Sequence, residues 1–225
     1  MTPIQWVRPK ILGKCKECRL QSALLKAAVT PKIMSTPEQN SDLPRRFNRI
    51  GMIARWKPVH RGHAPVLRAL CDCASTAFIG IGSSNRYDPR NPFTLAETMA
   101  MIELILADRH NYTLIPVPDL DDGPRWQVMV KELLGPLDVF VTDNPYVAGL
   151  LAADYQIMRP VELIPEDERI AIDGAMVRRA MARGDGWQEL VPAEIADYIQ
   201  SRQLDNRFRR EFGLQTLALD ILNAR

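Results

Sequence analysis

From Phe47 onward, short apolar runs alternate with segments of helical period, and that alternation admits few folds. Strand-like runs lie near Arg49–Ala54, Thr76–Gly82, Tyr112–Val117, Leu137–Thr142 and Tyr155–Met158. Helix-like segments lie near Gly62–Ala74, Thr94–Arg109, Pro124–Leu134, Pro145–Ala153, Asp173–Arg183 and Pro192–Arg202. Strands joined through helices pair in parallel, and the helices then cover both faces of the sheet. The expected fold is therefore α/β: one Rossmann-like domain built on an open parallel sheet with helices on both faces. In the second helical segment Leu95, Met99, Ile102, Ile105 and Leu106 mark the buried stripe. A sheet of this kind binds its ligand beyond the carboxyl ends of its strands, where strand order reverses.

One strand end stands out. The run Ile50 to Ala54 leads through Arg55-Trp56-Lys57-Pro58-Val59 into His60-Arg61-Gly62-His63, after which Val66, Leu67 and Leu70 continue with helical spacing. Two histidines three apart at a helix start share a face, where the helix dipole and first-turn N–H groups favour an anion. Arg55 and Arg61 add fixed positive charge. Clustered His and Arg at such a turn make a phosphate site. Metal ligation by the pair is the rival reading, but the chain has one other histidine, His110, and the motif holds no carboxylate. Purely structural histidines are the other alternative. A hydride-transfer fold would use Gly80-Ile81-Gly82, yet Asn85 stands where the third glycine belongs.

This segment resembles the G-R-F-x-P-x-H-x-G-H signature of the nucleotidylyltransferase superfamily. Four further blocks resemble its archaeal-type nicotinamide-nucleotide (NMN) adenylyltransferases: Ile79 to Ser84; Arg90 to Thr94 with Glu97; Ile115 to Asp119 with Trp126; and Val139 to Pro145. A fifth further block, Ile172 to Arg179, follows in the expected order. The resemblance spans about Ile50 to Val191. It implies attack of the NMN 5′-phosphate on the α-phosphorus of ATP, giving NAD and pyrophosphate. It also implies Mg²⁺ carried by the triphosphate, with no dedicated protein metal ligand. His60 and His63 would hold the α- and β-phosphates, while Arg55, Arg90 and Arg178 bind phosphate oxygens and Gly82 and Ser83 border the nucleotide. Trp126 would stack on the nicotinamide, the alternative being an ordinary core tryptophan. Asp119 would reach ribose, or else be a solvated loop carboxylate. Asn144 would meet adenine or its ribose, or else cap the helix before Pro145.

The chain differs from the family pattern at several points. Ala54 replaces a glycine, Lys57 a glutamine, and Asp173 and Ala175 replace the two hydroxyls of an S-x-T. Asp173 is expected to cap the helix beginning at Gly174, leaving Arg178 for the phosphates. Another acceptor, such as nicotinate mononucleotide, is the second reading; a nucleotide-binding protein without turnover is the third.

Charge excludes other classes. Residues 1–36 carry a net +6, so the rest of the 225-residue chain is net −4. An acidic body is a poor nucleic-acid binder. No apolar run reaches the roughly 18 residues that span a bilayer, so no membrane partner is expected. Residues 1–46 read as a basic leader and polar linker that catalysis does not need, 47–204 as the nucleotidylyltransferase domain and 205–225 as a helical tail. Cys15 and Cys18 with Cys71 and Cys73 could supply zinc ligands on paper, but CxC on a helix splays its thiols; reduced cysteines in a cytoplasmic homo-oligomer are the expectation.

Overall fold

The computed structural model describes residues 46–223, with side chains through residue 219. The leader, the Leu20–Val29 segment and the Cys15/Cys18 pair lie outside the described residues. Five strands run β1 Phe47–Ala54, β2 Ala74–Gly82, β3 Tyr112–Val117, β4 Val139–Val141 and β5 Ile157–Met158. They form one sheet in the order β3-β2-β1-β4-β5, every pair parallel. Order therefore reverses between β1 and β4. The intervening helices are α1 His63–Asp72, α2 Leu95–Ile105, α3 Gly123–Leu134 and α4 Pro145–Leu151; α5 Gly174–Arg183, α6 Ala193–Ser201, α7 Leu204–Phe208 and α8 Leu214–Asn223 follow the sheet.

Side-chain alternation divides the sheet between two cores. Ile50, Met52, Ala77, Ile79, Ile81, Val139 and Val141 face a layer that holds Leu67, Leu70, Met101, Ile102, Val177 and Ile195. Phe140 and Val117 face the opposite layer, with Val130, Leu134 and Leu151 from α3 and α4. Burial on both faces is what makes the strands read as near-continuous apolar runs.

Capping residues fix where the helices begin. Thr94 and Glu97 form a reciprocal capping box on α2, Asp122 caps α3 ahead of Pro124, and Asp173 caps α5. Gly184, at φ 77°, ends α5 in the left-handed region that a residue with Cβ resists. Helix α2 stops at Ile105, four residues short of expectation, because the chain must turn to enter β3. Arg109 in that turn grips the Asp72 carboxylate at 2.9 and 3.0 Å. Strands β4 and β5 are shorter than expected, at three and two residues. Only Cys73 separates α1 from β2. Burial pushes the Cys71 thiol up to about 12 and that of Cys73 up to about 11, so neither is a ready metal ligand. Among the described residues no three His, Cys, Asp or Glu side chains come together in a way that could hold a metal ion, and no helix is long and apolar enough to cross a membrane.

The segment beyond α6 packs against the body. Leu204 and Phe208 of α7 enter the larger core. A π-helical turn, Arg209–Gly213, links α7 to α8. Arg207 forks onto Glu97 at 2.5 and 2.7 Å and donates to the Pro92 carbonyl at 3.1 Å. Tyr87, in the loop between β2 and α2, donates to Glu211 at 2.5 Å and meets the Phe212 ring edge-on at 5.2 Å. That loop is thus braced from the chain's last helices.

Candidate active site at the switch point of the sheet

A cleft of about 900 Å³ opens where strand order reverses, walled by the loops that leave β1, β2, β3 and β4 and by the start of α5. Topology requires a crevice here, because the connections from β1 and β4 go to opposite faces. The volume lies toward the upper end of the range for small-molecule sites.

The β1 loop builds its floor. Trp56 adopts φ 54°, buries its ring completely and donates its indole N–H to the Gly80 carbonyl at 2.9 Å. Its edge meets the His63 ring at 4.8 Å. His60 and His63 stack face to face, 3.5 Å between centroids and 23° between planes. The main chain at His60 also starts the helix: its carbonyl accepts from the N–H groups of His63 and Ala64 at 2.8 and 3.2 Å. First-turn donors expected to cradle an anion are thus partly satisfied from within, and Pro65 contributes none. Anion attraction at this end rests more on side chains than the helix-start argument implied.

Those side chains are cationic. Arg178 spans the cleft from α5 and donates to the Lys57 carbonyl at 2.9 Å. Burial, reinforced by Arg55, lowers its pKa to about 10, so it stays charged at neutral pH. Arg55 lines the cleft from an exposed position. Arg90 acts on Arg178 electrostatically but is exposed and does not line the cleft. Arg61 turns away, with its side chain 3.4 Å from the Glu189 carbonyl.

Gly82, Ser83, Asp119, Trp126 and Asn144 all border the same cleft. Trp126 is only half-buried, unlike the fully enclosed Trp56. Asp119 is pinned through its backbone, its N–H donating to Asn85 Oδ1 at 2.8 Å and its carbonyl accepting from Asn85 Nδ2 at 3.0 Å. Asn144 caps α4, its Oδ1 accepting from Tyr146 N at 3.0 Å. Asp173 likewise caps α5, accepting from Met176 N at 2.7 Å, yet it still lines the cleft. Trp56 and Tyr146 were given no role from sequence, and Lys57 was noted only as a departure from the family pattern, although Trp56 and Lys57 both sit inside the histidine motif.

Protonation of His60 is opposed chiefly by burial, which brings its pKa down to about 4, with Asp173 raising it and Arg178 lowering it. Burial and the neighbouring His60 also hold His63 well below the ordinary imidazole range. Both rings are therefore neutral at pH 7. An unfolded chain takes up the His60 proton near pH 6.5, whereas the folded protein waits until about 4. Stability from this group is fully present above the unfolded value and is lost as pH falls through the window down to about 4. The expected loss is on the order of 3 kcal/mol. Urea midpoints between pH 7 and 4 should fall less in His60→Gln than in the unaltered protein, and parallel curves would assign the acid sensitivity to other groups.

Comparison with known proteins places these residues in a wider set. A family model described as cytidylyltransferase-like matches residues 54–180. Nicotinamide-nucleotide adenylyltransferase of Methanolobus tindarius is 33% identical over 72% of this chain and 94% of its own length. The Pyrococcus furiosus protein of the same name is 31% identical over 70% of this chain and 85% of its own. Among solved structures, a bifunctional NMN adenylyltransferase/ADP ribose pyrophosphatase from Francisella tularensis, complexed with AMP and a manganese ion, superposes with a TM-score of 0.61 at 13% identity. That match covers 80% of this chain and 56% of the other, and shows a shared fold.

Proposed function

The chain belongs to the cytidylyltransferase-like family, among its archaeal-type nicotinamide-nucleotide adenylyltransferases, and from that premise we propose that it joins ATP and NMN to give NAD and pyrophosphate. A bond forms between an NMN 5′-phosphate oxygen and the α-phosphorus of ATP, and the bond from that phosphorus to the bridging oxygen breaks. The nucleophile is a phosphate monoester with a second pKa of about 6, already largely ionised at neutral pH, so it needs no general base. Neutral His60 and His63 suit this chemistry. An uncharged imidazole offers one N–H donor, and the fixed guanidinium of Arg178 supplies charge without reorganisation. The convergence of His60, His63, Arg55 and Arg178 on one switch-point cleft is the observation that carries the reading.

In this reading His60 and His63 hold the α- and β-phosphates, Arg178 and Arg55 take phosphate oxygens, and Arg90 adds field from the rim. The edges of Gly82 and Ser83 border the nucleotide, and Asn144 meets adenine or its ribose. Trp126 presents an indole face to the cationic pyridine ring, and Asp119 reaches a ribose hydroxyl. ATP enters as its Mg²⁺ complex, the ion held by phosphate oxygens and water. We further infer a cytoplasmic homo-oligomer whose residues 1–46 are dispensable to the 47–204 catalytic body, with 205–225 as its bracing tail. Exposed apolar side chains on α3, Val128 and Leu133, support subunit contact.

The test is a product assay on the full chain and on a version starting at Met34. MgATP with NMN should yield NAD and pyrophosphate in equal amounts from both. A dinucleotide formed only from nicotinate mononucleotide would reassign the acceptor. ATP binding without pyrophosphate release would make the protein a nucleotide binder.

A further inference from the structure

Lys57 is almost wholly enclosed, at 2% exposure, yet it forms part of the cleft wall beside His60, Ser83 and Arg178. Its ammonium carries three donors, and one is committed: Nζ donates to the Ser83 carbonyl at 2.8 Å. Among the described residues it has no ion-pair partner, although Asp88 and Asp119 attract it from farther off and Arg55 repels it. A buried ammonium held by one neutral acceptor is costly to keep, because desolvation is not offset by a paired charge. Burial accordingly lowers its pKa. The side chain therefore brings an incompletely compensated positive charge, with donors to spare, to the one wall where His60 and Arg178 meet. The family pattern usually has glutamine here, which could make the same bond to a carbonyl without the charge.

We propose that Lys57 is a further phosphate-binding residue of this chain, its ammonium completing its coordination on the phosphate oxygens of ATP. The proposal rests on the adenylyltransfer reading for the identity of the nucleotide. Its geometry favours the triphosphate over the acceptor: the Lys57 carbonyl anchors Arg178, and its ammonium fixes the end of β2, so both ends of the residue serve the phosphate end of the cleft. Ser83, at φ 52°, presents its carbonyl from a left-handed turn, so the ammonium position is set by backbone rather than by a mobile side chain.

Two variants separate charge from scaffolding. Lys57→Gln keeps a donor for Ser83 and removes the charge; Lys57→Met removes both. Calorimetric titration of the full chain with ATP and with adenosine reads the outcome. Losing one charge-assisted hydrogen bond to a phosphate should weaken ATP binding roughly 10- to 100-fold in Lys57→Gln, with adenosine affinity unchanged. A purely structural lysine would give unaltered ATP affinity in Lys57→Gln, or equal losses for ATP and adenosine, and either result overturns the proposal. Melting curves of Lys57→Gln check folding, and Lys57→Met should lose at least as much ATP affinity. Wild-type protein that binds ATP but makes no NAD would sink the adenylyltransfer reading while leaving the Lys57 comparison intact.

Discussion

Replacing His60 or His63 by alanine is expected to lower turnover by roughly 10²–10³-fold, the usual loss when one preorganised donor to a developing charge is removed. The geometry gives the reason. The rings lie 3.5 Å apart in a stack, and Trp56 backs His63 from the side, so neither imidazole needs to reorganise when a triphosphate arrives. Two protonated rings at that separation would repel strongly, and burial keeps both neutral, so in the proposed role neither ring supplies a charge. Steady-state kinetics with saturating MgATP and NMN, alongside melting curves, would measure the effect. The fold should persist, since the motif's main chain, not its imidazoles, starts α1. Near wild-type turnover in both variants would remove the pair from the reaction.

The largest stability effect is expected at Trp56. Truncating a fully buried tryptophan to alanine costs about 3–5 kcal/mol through lost packing and the cavity left behind. Here the Gly80 carbonyl also loses its indole donor at 2.9 Å, leaving a buried acceptor without that partner. A domain with net stability of about 5–15 kcal/mol loses a large part of it. Trp56→Phe keeps most of the packing and forfeits chiefly the hydrogen bond, about 1 kcal/mol. Urea unfolding of the two variants should rank them accordingly. A Trp56→Ala protein as stable as the parent would show that the floor of the cleft collapses without penalty.

Legibility in the sequence followed locality. Strand β3, Tyr112–Val117, was readable to the residue because Asn111 and Pro118 bound a short strand-like run. The cap at Asp173 was readable because capping is local chemistry, and the segments expected near Thr94 and Pro124 begin within one residue of the observed helices. The end of α2 was not: Leu106 to Arg109 keep a helical pattern, and what stops them is the distant demand to enter β3. In the site, the histidines and Arg55 were readable because one loop carries them, and Arg178 came from the family resemblance. Arg90, from the same resemblance, sits outside the cleft lining. The burial of Lys57 was hidden, since sequence marks a lysine as a surface residue. So was the brace on Tyr87, which depends on partners more than a hundred residues away.

That brace has a consequence for the order in which the site is finished. The loop carrying Asp88 and Arg90 is held from outside by Arg207 on the Pro92 carbonyl and by Glu211 on Tyr87, at sequence separations of 115 and 124. Contacts so remote pay their loop-closure entropy before they return any energy, so they belong late in folding. The histidine turn likewise leans on distant chain, the Arg61 N–H donating to the Leu190 carbonyl at 3.0 Å and Arg178 to the Lys57 carbonyl at 2.9 Å. The cleft floor and the neighbouring Arg90 loop are therefore both finished late, after the segment from α5 onward has docked on the sheet. On the adenylyltransfer reading, recovery of nucleotide affinity during refolding should then lag behind formation of the sheet and report on docking of the segment from α5 onward.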